Sequence, residues 1–246
     1  EYNIDTIIHF ASQTHVDNSF GNSLTFTIDN ILGTHTLLEC CRIYGKIKKF
    51  IHISTDEVYG EVDINHKGCL EKSLLNPTNP YAATKTSAEF IVKSYYYSFN
   101  IPIIITRSNN VYGKRQYPEK IIPKFISQII NNKKCTIHGE GKTRRNFIYI
   151  NDLIKALIII LHNGEINNIY NIGSKDEYNV IEILQILLDR MGINKTVEEV
   201  SEKVEDRPFN DFRYAIQTEK LEKLGWKKET DFFEGIDKTI TQETGN

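Results

Sequence analysis

Short, nearly continuous apolar runs, separated by longer stretches of helical period, constrain this chain more than any other feature. Ile7–Ala11, Phe50–Ser54, Ile101–Thr106 and Ile169–Ile172 do not alternate cleanly between apolar and polar residues. A strand that is apolar on both faces must be covered on both faces, which is the setting of a parallel sheet in an α/β protein. The intervening segments supply the cover. From Ser23 to Tyr44, residues Leu24, Ile28, Ile31, Leu32, His35 and Leu38 fall at helical spacing, and Gly45 ends the pattern. Asn79 is a predicted cap with Pro80 at the first helical position, where its missing N–H costs little, and this helix runs to about Phe99.

The second half repeats the alternation. Ile121, Ile122, Phe125, Ile126, Ile129 and Ile130 mark one helix face. A short strand is expected at Asn146–Ile150, a helix at Asp152–His162 and another at Val180–Met191. The tail reads as a strand at Val197–Val200 with helices near Thr218–Leu224 and Phe233–Thr241.

Composition narrows the function classes. A net charge of −2 gives no global field for nucleic acid or an anionic membrane. No apolar run is long enough to span a bilayer, and Leu157–Leu161 reads as core. Cys40, Cys41, Cys69 and Cys135 lack metal-ligand spacing, so no metal is expected. They read as thiols in a reducing, cytoplasmic compartment, with Cys40 and Cys41 both buried.

The chemistry concentrates in Ser54-Thr55-Asp56-Glu57-Val58-Tyr59-Gly60 and Tyr81-Ala82-Ala83-Thr84-Lys85. Tyr81 and Lys85 stand one helical turn apart on a shared face. A phenol is a poor base near neutrality, and a neighbouring cation lowers its pKa. Two half-exposed helix residues would give the same spacing. Thr55, Asp56 and Glu57 follow a strand at its C-terminal end, where open α/β sheets bind ligands. An acidic turn capping a helix is the plainer reading of such a pair. Gly139-Glu140-Gly141-Lys142-Thr143-Arg144-Arg145 is either a diphosphate clamp or a solvated loop.

Taken together and in order, these segments resemble the extended short-chain dehydrogenase/reductase family, in its NDP-glucose 4,6-dehydratase branch. The matching stretches include His9-Phe10-Ala11-Ser12-Gln13-Thr14-His15-Val16-Asp17-Asn18-Ser19, Asn109-Asn110-Val111-Tyr112-Gly113, Gln116 to Pro123, Tyr170-Asn171-Ile172-Gly173 and Asp206 to Asp211. The resemblance implies a Rossmann-like doubly wound parallel sheet with a smaller C-terminal α/β substrate domain. Residues 1–112 would form the NAD-binding part, 113–246 mostly the sugar-nucleotide part, and about 150–172 would rejoin the first.

It also implies site residues. Thr55, Tyr81 and Lys85 match the oxidation triad, Asp56 the general acid and Glu57 the base. Phe10, Ala11 and Ser12 match positions beside NAD, as do Tyr81 and Lys85. His15, Asn110, Lys120, Arg145, Asn171 and Arg207 match positions that hold the sugar nucleotide. The run Gln13-Thr14-His15-Val16-Asp17-Asn18-Ser19 looks like the UDP-glucose type of enzyme, with dTDP-glucose as the alternative substrate. A homodimer through a four-helix bundle of the Ser23–Tyr44 and Tyr81–Phe99 helices is implied as well.

The chain departs from the family pattern at Lys114, where a proline is usual, and at Asn146-Phe147, where Asp-Trp is usual. It holds no dinucleotide-binding glycine fingerprint. The family places that loop ahead of residue 5, a shortfall on the order of 60–80 residues. The expectation is an N-terminally truncated fragment that binds NAD poorly and folds marginally alone. A non-catalytic sugar-nucleotide-binding or dimerising remnant is the rival from another class.

Overall fold

The computed structural model describes residues 2–244. Its first half alternates strand and helix: β1 (Thr6–His9), α1 (Val16–Gly21), α2 (Ser23–Phe26), a π-turn (Thr27–Leu32), α3 (Gly33–Tyr44), β2 (Lys49–Thr55), a 3₁₀ turn (Asp56–Tyr59), α4 (Pro80–Phe99) and β3 (Ile103–Ser108). Then come β4 (Asn110–Tyr112), α5 (Ile121–Ile130), β5 (Cys135–His138), β6 (Arg144–Tyr149), α6 (Ile150–Asn163), β7 (Asn168–Ile172), β8 (Glu177–Asn179) and α7 (Val180–Arg190). The chain closes with α8 (Val197–Val200), β9 (Ser201–Val204), α9 (Glu219–Glu222) and α10 (Phe232–Thr244).

The main sheet runs β1-β2-β3-β7, with every neighbouring pair parallel. Successive side chains on a strand point to opposite faces, and the central strands use both. Phe50, Ile103 and Ile105 join Leu38, Cys41, Val92 and Tyr95 of α3 and α4. Their neighbours Ile51 and Ile104 face the other way, onto Leu153, Ala156, Leu157 and Ile160 of α6 and onto Trp226. This two-sided cover is why the strands read as unbroken apolar runs. It gives the parallel α/β, Rossmann-like arrangement expected.

A second core sits beside the sheet. Phe125 and Ile126 of α5, Leu184 and Leu187 of α7, and Phe232 and Ile236 of α10 enclose Ile137 and Phe147. Short strands build this part: β4 pairs with β6 in parallel, β6 with β8 antiparallel, and β5 with β9 in parallel.

Some expectations are corrected. Val197–Val200 is a helical turn, not a strand. The Thr196 hydroxyl accepts the Glu199 N–H at 3.3 Å, and the Glu199 carboxylate accepts the Thr196 N–H at 2.7 Å. This capping box outweighs the β-branched residues, and the strand starts only at Ser201. Cys41 is buried but Cys40 is exposed, because adjacent helical residues lie about 100° apart and cannot both face inward. The Ser23–Tyr44 helix is not of uniform pitch, because the π-turn interrupts it. Leu24, Ile28 and Leu32 are exposed, whereas Leu38 is fully buried. Within the π-turn, the buried Asn30 accepts the Gln13 N–H at 2.7 Å and donates to the Thr84 hydroxyl at 2.9 Å.

Candidate active site

The C-terminal end of β2 leads straight into the 3₁₀ turn. Thr55 caps that turn, its hydroxyl accepting the Glu57 N–H at 3.3 Å. Gly60 leaves it with φ +76°, and a side chain there would meet the Asn76 carbonyl oxygen at 2.2 Å. No L-residue fits that corner without strain. The turn therefore holds Asp56 and Glu57 at the sheet end on a rigid mount.

α4 is tied to the same point. Asn79 caps it by accepting the Ala82 N–H at 2.9 Å, as the sequence predicts, and its amide donates to Glu57 at 3.1 Å. One side chain thus starts the helix bearing Tyr81 and Lys85 and also positions a carboxylate. Deeper along α4, the buried Glu89 pairs with the buried Arg107 of β3 at 2.6 Å. Arg107 also donates to the Tyr59 hydroxyl at 2.8 Å. The turn, the helix and the central strand are locked into one polar web.

These groups face a cavity of about 540 Å³, within the range of small-molecule sites. Thr55, Asp56, Glu57, Tyr81 and Lys85 line it, with Phe10 and Ser12 from the loop after β1. His15, Asn110, Lys120, Arg145 and Arg207 line its remainder. Two expected residues do not. Ala11 is exposed and outside the lining. Asn171 is fully buried, accepting from the Tyr59 hydroxyl at 2.8 Å and donating to the Cys69 carbonyl at 3.0 Å. Its side chain is spent on joining β7 to the loop around Cys69.

Burial sets the protonation states. Asp56 is 1% exposed, and this desolvation pushes its pKa up to about 7, against the hydrogen bond from Asn109 at 2.7 Å. Glu57 is raised by burial, while the Arg145 cation and Asn79 hold it down. Burial lowers Lys85 to about 8, and its ammonium donates to the Ile53 carbonyl at 2.7 Å. Burial and the Glu57 charge raise Tyr81 well above the ordinary phenol value. Burial and the neighbouring carboxylates thus work against the phenolate, while the hydrogen bond with Thr55 works for it. Burial also keeps His9 neutral, at about 4.

Two of the substrate-side cations, Arg145 and Lys120, are held by backbone carbonyls. Arg145 donates to the Arg144 and Asp211 carbonyls at 2.8 and 2.9 Å and lies 4.6 Å over the Tyr214 ring. Lys120 donates to the Thr14 carbonyl at 2.7 Å. Sequence reasoning missed Asn109 as a partner of Asp56 and Asn79 as a partner of Glu57. Asn109 adjoins Asn110 in one motif, and only the direction in which each side chain leaves the strand separates them. Among the described residues, no cluster of His, Cys, Asp and Glu suits a metal, and no helix is long and apolar enough to cross a membrane.

Known proteins resemble this chain in sequence and in fold. A trifunctional UDP-glucose 4,6-dehydratase/UDP-4-keto-6-deoxy-D-glucose 3,5-epimerase/UDP-4-keto-L-rhamnose-reductase of Arabidopsis thaliana is 51% identical over 245 residues, covering 99% of this chain and 36% of that protein. A dTDP-D-glucose 4,6-dehydratase of Dictyostelium discoideum is 48% identical, covering 96% of this chain and 64% of its own length. The chain thus spans less than two thirds of these relatives. Among solved structures, a dTDP-glucose 4,6-dehydratase from Streptomyces venezuelae with NAD bound superposes with a TM-score of 0.94 at 34% identity, covering 99% of this chain and 74% of that one. A UDP-glucuronic acid 4-epimerase from Bacillus cereus, in complex with UDP-glucuronic acid and NAD, gives 0.91 at 30%, covering 99% and 76%. The family described as GDP-mannose 4,6 dehydratase matches residues 1–239. With that match running from the first strand into the last helix, the chain belongs to the GDP-mannose 4,6 dehydratase family.

Proposed function

We propose that this chain carries the catalytic and sugar-nucleotide-binding part of an NAD-dependent NDP-glucose 4,6-dehydratase, converting UDP-glucose to UDP-4-keto-6-deoxyglucose. The observation that carries the reading is the buried Asp56 and the half-buried Glu57 in one cavity with Tyr81 and Lys85. A 4-epimerase needs the Tyr–Lys pair but has no elimination to catalyse, so the two adjacent acids argue for the dehydratase.

The residues suit the steps. Tyr81 and Thr55 would hold the hydroxyl at the fourth carbon, with Tyr81 taking its proton and Lys85 balancing the charge. Once that carbon is a ketone, the proton on the fifth carbon is acidic, and Glu57 would remove it. Asp56 would protonate the hydroxyl leaving the sixth carbon, so water departs as the double bond forms. A carboxyl with a pKa of about 7 is half protonated at neutrality, which suits an acid. NAD, when bound, would supply the hydride acceptor for the fourth carbon and the hydride donor for the sixth, and Glu57 would give its proton back to the fifth carbon. The residues fit the nicotinamide–ribose end of that cofactor: Phe10 and Ser12 line the cavity beside Lys85, whose ammonium has donors beyond the one given to Ile53. Lys120, Arg145, Arg207 and Asn110 would hold the diphosphate and sugar.

UDP-glucose is preferred on the Gln13–Ser19 motif, with dTDP-glucose as the second reading on the strength of the Dictyostelium and Streptomyces relatives. The division at residues 112 and 113, with about 150–172 rejoining the first part, is proposed on the pairing of β7 with β3. A homodimer is proposed through the α2–α3 and α4 helices, on which Leu24, Ile28, Leu32, Phe90 and Tyr97 are exposed. A reducing, cytoplasmic setting is proposed on the four free thiols.

The test is product analysis with each nucleotide sugar and added NAD. A 4-keto-6-deoxy sugar, one water lighter than substrate, is expected, formed faster from UDP-glucose. Epimerised sugar without loss of water would overturn the reading.

A further inference from the structure

The first turn of α1 and two loops meet over the cavity, and a chain of charged side chains joins them. Arg207 pairs through Nε with Asp17 Oδ1 and donates through Nη2 to Asp17 Oδ2 at 3.3 Å. The Nε and Oδ1 atoms of this pair are shielded from solvent and meet as an ion pair without a hydrogen bond between them. Asp17 also lies 3.7 Å from His15 Nε2, which is 4.0 Å from Glu119. His15 Nδ1 accepts the Asn18 N–H at 3.4 Å, which leaves Nε2 facing both carboxylates. Glu119, His15, Asp17 and Arg207 all line the cavity.

The structure assigns Asp17 as a positioning residue that aims Arg207 at the diphosphate of a sugar nucleotide. This inference rests on the reading proposed above. A guanidinium has five N–H donors in a planar fork. Asp17 pairs with the Nε edge by charge and accepts one hydrogen of Nη2, which leaves the far edge free to donate into the cavity. An unpaired arginine on a loop would sample many rotamers and lose that freedom on binding. Asp17 removes most of this cost beforehand. Its own charge opposes an incoming diphosphate, but the Arg207 cation it holds, with Lys120 nearby on the cavity wall, outweighs it. Because Asp17 sits in the first turn of α1, after the loop proposed for the cofactor side, and Arg207 lies in the tail, the pair also ties that end of the chain to the substrate side. Binding at one edge therefore bears on the other.

The test is titration of the whole chain with UDP and with uridine, for the wild type, Asp17→Asn, Asp17→Glu, Arg207→Ala and the Asp17→Asn/Arg207→Ala double variant. Asp17→Asn is expected to weaken UDP about five-fold, the upper size of a partly exposed ion pair, and to leave uridine unchanged. Asp17→Glu is expected to restore most of the loss. In the Arg207→Ala background, Asp17→Asn is expected to have no effect on UDP, because Asp17 acts through Arg207. UDP affinity equal or tighter in Asp17→Asn, an equal loss for uridine, or an undiminished loss in the Arg207→Ala background would each overturn the assignment while leaving the dehydratase reading intact. A folded wild type that binds no UDP would overturn both.

Discussion

Asn109 donates to Asp56 at 2.7 Å while its own side-chain oxygen accepts the Ser174 N–H at 3.0 Å. The second bond fixes which end of the amide faces the acid. Asp56 therefore meets a donor in either protonation state, and that donor favours the carboxylate. Replacing Asn109 by Ala removes the one contact that pulls Asp56 down most. The alkaline limb of the rate–pH profile is expected to move above its wild-type position near pH 7. A profile unchanged from the wild type would show that Asp56 does not titrate in catalysis.

Asp56 also governs stability against pH. Its folded pKa of about 7 lies above the ordinary aspartate value of 3.8. Between those values the folded state holds a proton that the unfolded state has released. Stability from this group is complete below about pH 4 and is lost as the pH rises through 7. Asp56→Asn is expected to lessen the fall of the denaturation midpoint between pH 4 and 7, the remainder belonging to Glu57, which burial also raises, and to abolish dehydration. A midpoint that falls as steeply as in the wild type would place the titration elsewhere.

Glu57→Gln keeps the bond from Asn79 in shape but removes the base. Dehydration is expected to fall by a factor of about 10²–10⁴, the usual worth of a positioned general base, while oxidation at the fourth carbon persists as a transient reduced-cofactor absorbance. Unchanged product formation would take Glu57 out of its role.

The Glu89–Arg107 pair has no exposed face. Glu89→Ala leaves a buried cation, which costs about 3–5 kcal/mol and is expected to appear as a lower urea midpoint. Replacing both by apolar residues of similar volume is expected to recover most of that loss. If the single and double variants are equally unstable, the web around Tyr59 depends on Arg107 itself rather than on charge balance.

How much of this was legible follows from the range over which each signal acts. The central strands announce themselves because both faces are buried, and α4 because Asn79 and Pro80 cap it locally. The short strands β4, β5, β8 and β9 have three or four residues, too few to show a period, and they form because the neighbouring core presents an edge. Within the site, Thr55, Asp56, Glu57, Tyr81 and Lys85 carry a readable pattern, since each pair is close in sequence. Asn171 looked like a ligand because a motif does not state which way a side chain turns. In the structure it turns away from the cavity to bond Tyr59 and Cys69. The raised Tyr81 was likewise hidden, because its cause is the depth of burial beside Glu57, a distance set only by the fold.

The π-turn at Thr27–Leu32 makes one helix serve two surfaces. A wide turn holds an extra residue, so the segments before and after it are out of phase by about 100°. This offset lets Leu38 and Cys41 seat on the sheet while Leu24, Ile28 and Leu32 look outward and Asn30 reaches back to Gln13. Deleting one residue here would restore a regular pitch and rotate the N-terminal half out of place. Spacing in this stretch carries more information than side-chain identity, so the joint accepts substitutions far more readily than changes of length.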